Sequence, residues 1–389
     1  MDMAAQKTSQ RINSIDALRG LVMMIMMFDH VRETFFLHQQ VSDPMDVGQT
    51  APALFFTRLA AHLCAPVFVF LTGLSAWLYA NPPSGPRDSG PRDASSFLIK
   101  RGLLLVALEL TLVNFAWAGQ FPPATIYLQV IWVIGLAMIT LGLLHKLPPL
   151  LLGILGLLIV TGHNALADLS FAPGTASYAL WTLLLHRGYL ISDAAINIKV
   201  SYPLLPWIGI ILLGYVAGRL YATGISAHRR QRLLTILGIT ALLLFALLRV
   251  VNGYGETQPW QYHGNSLLTL MSFFNLTKYP PSLDFALLTL GIGMCYLALL
   301  EKYPGKLSRI ASVFGGAPMF YYLLHLYVLL ALQKMMLATF GANHGQRFGV
   351  DHVWQVWLIS VVLIPVLYYP CRAFARYKRQ SGKAWVRYF

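Results

Sequence analysis

Apolar runs of roughly 20 residues follow one another along almost the whole chain, and that is the length a helix needs to cross a hydrocarbon core of about 30 Å. A chain of this kind must satisfy its backbone polar groups inside lipid, which a helical bundle does. Composition agrees, with 57% hydrophobic and only 11% charged residues, where soluble domains carry about a quarter charged. A soluble globular domain is excluded, as are a collagen, a disordered tail and a disulfide-rich secreted scaffold. Cys64, Cys295 and Cys371 lie inside apolar runs; they read as packing residues and supply neither a disulfide framework nor a metal site. The first fourteen residues are polar and no small-residue cleavage site follows, so no removable signal peptide is expected.

Laying the same ruler along the chain predicts an all-α, polytopic membrane helix bundle of about ten transmembrane helices. The expected spans are Ile15 to Leu37, Ala53 to Ala80, Phe97 to Ala118, Ala124 to His145, Leu147 to His163, Pro203 to Tyr221, Leu233 to Val251, Ser282 to Leu300, Ala311 to Phe340 and His352 to Tyr369. Ala176 to Ile191 leaves room for an extra re-entrant or interfacial helix. Residues 1–389 read as one domain, with 1–14 a cytoplasmic tail and 370–389 a basic cytoplasmic tail. Gly85 to Asp93 repeats GPRD and reads as a flexible inner loop, and no inverted duplication of the transporter kind is found.

The formal net charge of +14 does not point to nucleic acid, because basic residues scattered over the loops of an apolar chain encode orientation in a bilayer. With ten spans and a cytoplasmic N-terminus, 21 of the 29 lysines and arginines fall on the N-terminal side. Both termini are therefore expected in the cytoplasm, and the protein in the cytoplasmic (inner) membrane.

The first span carries the chemistry. Only Leu21 to Phe28 is uninterrupted; Asp16 and Arg19 precede it, and Asp29, His30, Arg32 and Glu33 follow. Ionisable groups at such depth face partner helices or a wet cavity; the alternative, that they sit at the two membrane interfaces, suits Asp16, Arg32 and Glu33 better than His30. Arg19 and His30 are eleven residues apart, nearly three whole turns, so they share one helix face at about 16 Å separation. An anionic carrier held at Arg19 could reach the imidazole with its reactive tip, and a phosphate-bearing acyl-CoA has an arm of that length. Neutral imidazole can take a proton near neutral pH, so His30 is the candidate base or transient acyl acceptor. Adjacent helical residues point about 100° apart, which makes Asp29 a poor orienter for it and leaves Glu33 or Glu109 as the expected partner.

In the second span Arg58 and His62 stand at i and i+4. Counting depth places His62, Glu109 and His325 near the height of His30, where all could surround one site; a buried Arg58–Glu109 ion pair is the competing reading. The KYPPS segment, Lys278 to Ser282, breaks helix and presents a cation and a tyrosine. No GxxxxGK[ST], dinucleotide fingerprint, HExxH or GxSxG is present, so nucleotide hydrolysis, hydride transfer, zinc proteolysis and serine hydrolysis lack support.

Four blocks then stand out: RINSIDALRGLVMMIMMFDHVRETFF, ALFFTRLAAHLCAPVFVFLTGLSAWL, TKYPPSLDFALLTLG and GGAPMFYYLLHLYVL. Over nearly its whole length the chain resembles the bacterial integral-membrane relatives of heparan-α-glucosaminide N-acetyltransferase. The resemblance implies a multi-helix bundle that takes an acyl group from cytoplasmic acetyl-CoA or another acyl-CoA and delivers it to a sugar across the membrane. The family's first-helix histidine falls on His30 and the arginine of its first block on Arg19; Arg58 and His62, Lys278 and Tyr279, and His325 fall in the other three blocks. Around the histidine the chain reads FDHVR, the bacterial form, and both amine and hydroxyl acceptors stay open.

The expected roles are thus His30, Glu109 and His62 in catalysis, Arg19 in binding the acyl-CoA, and Arg58, Lys278, Tyr279 and His325 in binding the acceptor, with no metal. Expected partners are acyl-CoA, a glycan or glycolipid and membrane lipid, with a homodimer open and nucleic acid excluded. The rivals are a transporter or flippase for an anionic solute or lipid-linked sugar, using the same buried charges as a path, and a non-enzymatic assembly subunit. The topology makes a direct prediction: in intact cells, an impermeant thiol reagent labels a cysteine placed at Gln258 and misses one at Ser89. Labelling in the opposite pattern would overturn the orientation.

Overall fold

The computed structural model describes residues 13–82 and 92–389. The expected N-terminal tail up to residue 12, the GPRD repeat apart from Arg92 and Asp93, and Ser89 lie outside the described residues. The rest is mostly helical, with little strand.

Helix α1 (Asn13–Phe35) runs through the centre. Asp16 in its first turn and Arg32 in its last complement the helix dipole, and most of its side chains are buried in spite of their charges. The second apolar run is split into α2 (Pro52–Ala61) and α3 (Cys64–Ala80). Pro66 has no N–H and its ring crowds the carbonyl four residues back, which is that of His62, and the chain breaks there. Next come α4 (Ser95–Leu108), a five-residue π turn (Glu109–Val113) and α5 (Asn114–Ala118), which together form one continuous rod.

The following run begins differently from expectation. Thr125–Leu128 is a strand, β1, and only Val130–Leu144 is helix α6. After α7 (Pro149–Gly162) and the short α8 (Ala176–Leu184), strands β2 (Gly188–Ile191) and β3 (Asn197–Val200) complete a three-stranded sheet in the order β1-β3-β2. β1 pairs parallel to β3, and β2 antiparallel. The segment set aside for a re-entrant helix is thus a two-turn helix followed by a strand.

Helices α9 (Leu205–Ala217), α10 (Ala227–Val251), α11 (Ser266–Phe273) and α12 (Leu283–Lys302) follow. The run expected as one span from Ala311 to Phe340 is two helices, α13 (Lys306–Gly315) and α14 (Pro318–Phe340). Pro318 excludes the helical conformation from the residue before it, and Ala317 has φ −137° and ψ 57°. Helix α15 (Val353–Gln380) continues past Tyr369, so the first part of the expected basic tail is helical.

Among the described residues, six helices are long and apolar enough to cross a membrane: Pro52–Ala80, Pro149–Leu166, Ala227–Val251, Leu283–Lys302, Pro318–Phe340 and Val353–Gln380. Val130–Leu144 and Leu205–Tyr221 are apolar but shorter. On α7, α10 and α15 the outward residues Leu157, Leu158, Leu243, Leu247, Val361 and Val362 are exposed, as lipid-facing surfaces are, while α1 is enclosed.

Helix α1 is fixed by its crossing with α13. A Cβ on Gly20 would stand 1.7 Å from the Ala311 carbonyl oxygen, and one on Gly315 would stand 1.9 Å from that of Asp16. Backbone meets backbone, so nothing can yield. Gly20→Val and Gly315→Val are expected to destabilise the protein by about 3 kcal/mol, the upper end for overpacking. Gly162→Ala, where nothing lies within 4 Å, serves as the tolerated control. Thermal unfolding in detergent measures the difference, and a wild-type midpoint for the valine variants would contradict the crossing.

Candidate active site

One cavity of about 840 Å³ follows α1 along its length. Ile15, Arg19, Met23, Met26, His30 and Glu33 line it, successive three- and four-residue steps that keep to one helix face. From Ile15 to Glu33 the helix rises about 27 Å, close to the thickness of a hydrocarbon core.

At the Arg19 end the guanidinium is held by three parts of the chain. Its Nη1 donates to Asp16 Oδ1 at 2.9 Å and to the Gly315 carbonyl at 3.1 Å, and its Nη2 donates to Ser75 Oγ at 2.8 Å. Arg101 of α4 and Lys378 of α15 line the same end. Arg101 is near enough to Arg19 for the two to repel, so this end favours an anion. The middle is apolar and rich in methionine, with Met23, Met26, Met138 and Met319 in the wall.

Further along lies His30. Its Nδ1 is 2.6 Å from His325 Nε2; the rings are 16° from parallel with centroids 4.9 Å apart, so they meet by their nitrogen-bearing edges. Trp117 and Tyr322 stand edge-on at centroid distances of 5.2 and 6.0 Å. Tyr321 of α14 donates its hydroxyl to the Met23 carbonyl at 3.1 Å, tying the helix that carries His325 to α1. The side chain that pairs with His30 is therefore His325, and neither Glu33 nor Glu109.

Beside His30 the charges converge on Asp29. Arg32 donates to it from Nε at 3.0 Å, Arg58 Nη1 lies 3.7 Å away and Lys278 Nζ 3.9 Å away. Glu33 pairs with Arg32 and stands 4.0 Å from Arg58. Arg58 thus pairs with α1, not with Glu109. The turn bearing Lys278 is pinned by Asp43, whose carboxylate accepts the Tyr279 N–H at 2.9 Å, and by Glu256, which accepts from the Thr277 N–H at 2.9 Å and Ser282 Oγ at 2.6 Å. Burial pushes the Asp43 carboxyl above its usual range, against the pull of Arg58, Lys278 and Arg187. Burial works against the Lys278 ammonium too, but Tyr279 and Asp29 carry it above the ordinary lysine value.

Arg187 and Lys278 each lie 5.1 Å from the centre of the Tyr279 ring, and the Tyr279 hydroxyl donates to that of Tyr202 at 3.1 Å. Lys199 of β3 and Tyr127 of β1 also line this end, so the sheet forms part of the vestibule wall.

Arg19, His30, Arg58, Lys278 and Tyr279 all line the cavity, whereas His62, Glu109 and His325 are buried behind its wall. Glu109 Oε2 accepts the N–H groups of Ile131 and Trp132 at 3.1 and 3.2 Å, capping the start of α6. His62 sits at the α2–α3 break with both ring nitrogens lacking a hydrogen-bond partner among the described residues. Arg101, Trp117, Arg187, Lys199 and Tyr202 were not singled out in the sequence. A second arginine just inside an apolar run was a usable signal for Arg101; the others carry none.

The family model for the heparan-alpha-glucosaminide N-acetyltransferase catalytic domain matches residues 11–250, well over half of the chain. The chain belongs to that family. No curated protein matches it. The matched range contains Arg19, Asp29, His30 and Arg58 and ends before Lys278 and His325, which the fold nevertheless brings against them. Membership makes this a protein of a membrane acetyltransferase family.

Asp29→Asn leaves Arg32, Arg58 and Lys278 buried with too little counter-charge, at an expected cost of about 3 to 5 kcal/mol. Adding Lys278→Met should recover part of the loss in thermal unfolding. No recovery would mean that Asp29 does not hold Lys278.

Proposed function

We propose that the protein is an acyl-CoA-dependent acyltransferase of the cytoplasmic membrane, moving an acetyl or other acyl group to an amine or hydroxyl of a glycan or glycolipid on the outer side. In this reading the chain spans the bilayer about ten times with both termini inside, so the Arg19 end of the cavity opens to the cytoplasm and the Lys278 end outward. The observation that carries it is the continuous cavity along α1, with Arg19 and Arg101 at one end and His30 near the other.

Arg19 and its neighbour Arg101 hold phosphate groups of the donor, and the apolar, adaptable middle accommodates its arm. His30 meets the thioester and the acceptor, as general base or as the residue that carries the acyl group. Arg58, Lys278 and Tyr279 face the acceptor. His62 and Glu109 act on the site through packing and through the placement of α6.

The two ends fail differently when altered. Arg19→Ala weakens acyl-CoA binding by roughly ten- to a hundredfold, the loss of one charge-assisted contact of about 1.5 to 3 kcal/mol, and lysine restores part of it. His30→Ala leaves binding nearly intact and lowers turnover by about two orders of magnitude or more. Calorimetry with acetyl-CoA and release of CoA thiol in nanodiscs measure both. A transporter releases no thiol, and wild-type turnover in His30→Ala would remove His30 from the chemistry.

A further inference from the structure

His30 has two ring nitrogens, and its surroundings decide which of them can react. The Nδ1 of His325 lies 2.9 Å from the Tyr321 carbonyl oxygen. A carbonyl only accepts, so that nitrogen carries a hydrogen. His325 is fully buried, the groups packed on it are the rings of His30, Tyr321 and Tyr322, and no carboxylate pairs with it among the described residues. An imidazolium in that setting is costly. Neutral His325 therefore presents Nε2 as a bare acceptor, 2.6 Å from His30 Nδ1, and His30 must donate from Nδ1. Neutral His30 then keeps its lone pair on Nε2, for which the described residues provide no hydrogen bond, on a ring that lines the cavity.

We infer that His325 is the positioning residue of this site: the chain Tyr321 carbonyl, His325, His30 fixes His30 as its Nδ1–H tautomer and offers Nε2 to the substrates. This rests on the acyl-transfer reading above. In the base-catalysed step, Nε2 takes the proton from the acceptor's N–H or O–H while that nitrogen or oxygen bonds to the thioester carbonyl carbon. The carbon–sulfur bond then breaks, and the CoA sulfur leaves with the proton that Nε2 returns. Between the two transfers His30 is an imidazolium, and its Nδ1–H bond to His325 is strengthened by the charge. His325 thus stabilises the charged form from behind, without touching substrate.

Packing and positioning make opposite demands on replacements. Leucine at 325 fills space but accepts no hydrogen bond, whereas glutamine supplies an acceptor oxygen. The test uses the full chain in nanodiscs with acetyl-CoA and glucosamine, alongside nitrogen-15 spectra of histidine-labelled protein in which the His30 signals are identified by their absence from His30→Ala. In the wild type, His30 Nδ1 should be protonated and Nε2 bare. His325→Leu should lower kcat by about a hundredfold, the scale of a disabled general base, with KM for acetyl-CoA unchanged, and His325→Gln should stay within about tenfold of wild type. A proton on Nε2 of wild-type His30, or a leucine variant as active as the glutamine one, would overturn the assignment. If the wild type releases no thiol, the acyl-transfer reading fails, and the protonation state of His30 still decides whether His325 sets its tautomer.

Discussion

A single buried carboxylate organises one end of the cavity along α1. Asp29 draws together Arg32 from its own helix, Arg58 from α2 and Lys278 from the turn before α12. Removing such groups from water costs free energy that their mutual attraction only partly offsets. The cluster is better understood as specifying where things go than as stabilising the bundle. It sets α2 against α1 one residue from His30, and it brings a turn nearly 250 positions later in the chain into the same vestibule. Asp43 and Glu256 hold that turn by its backbone and side-chain hydroxyls, so the cation of Lys278 is fixed from both sides.

The helical class and the unusual character of α1 were legible because lipid imposes a length and because charges inside an apolar run have few places to go. The shared face of Arg19 and His30 followed from helical geometry alone, and both line the cavity. Depth counting failed in a specific way. It gives height along the bundle and nothing about rotation, so it put His62, Glu109 and His325 level with His30 but could not tell that they lie behind the cavity wall. The pairing of His30 with His325 was hidden for the same reason. Strand β1 was missed because Thr-Ile-Tyr-Leu has the hydropathy of the helix that follows it, and its partner β3 lies some seventy residues on. The breaks at Pro66 and Pro318 were present in the sequence as prolines; hydropathy averaged over a span conceals them.

The cavity lining, with His325 behind it, is composite in sequence. The range matched by the family model supplies α1, α2 and the rod from α4 to α5, with Arg19, His30, Arg58 and Trp117. The remainder of the chain supplies Lys278, Tyr279, Tyr322 and His325. Only folding unites the two halves, and α1 is the surface on which they meet, crossed by α13 at Gly20 and Gly315 and approached by α14 through Tyr321.

Because Arg19 and His30 stand on the same unbroken helix, their separation belongs to one stiff body. Neighbouring helices can tilt, the sheet at the vestibule can shift, and the bilayer can thin locally, all without changing that distance. The two ends of the cavity are thus mechanically insulated from the breathing of the bundle around them. The arrangement is intolerant in one respect: a single residue inserted between Arg19 and His30 would swing the imidazole about 100° around the helix axis. Length variation within the family should therefore collect in the loops and spare the eleven-residue interval in α1.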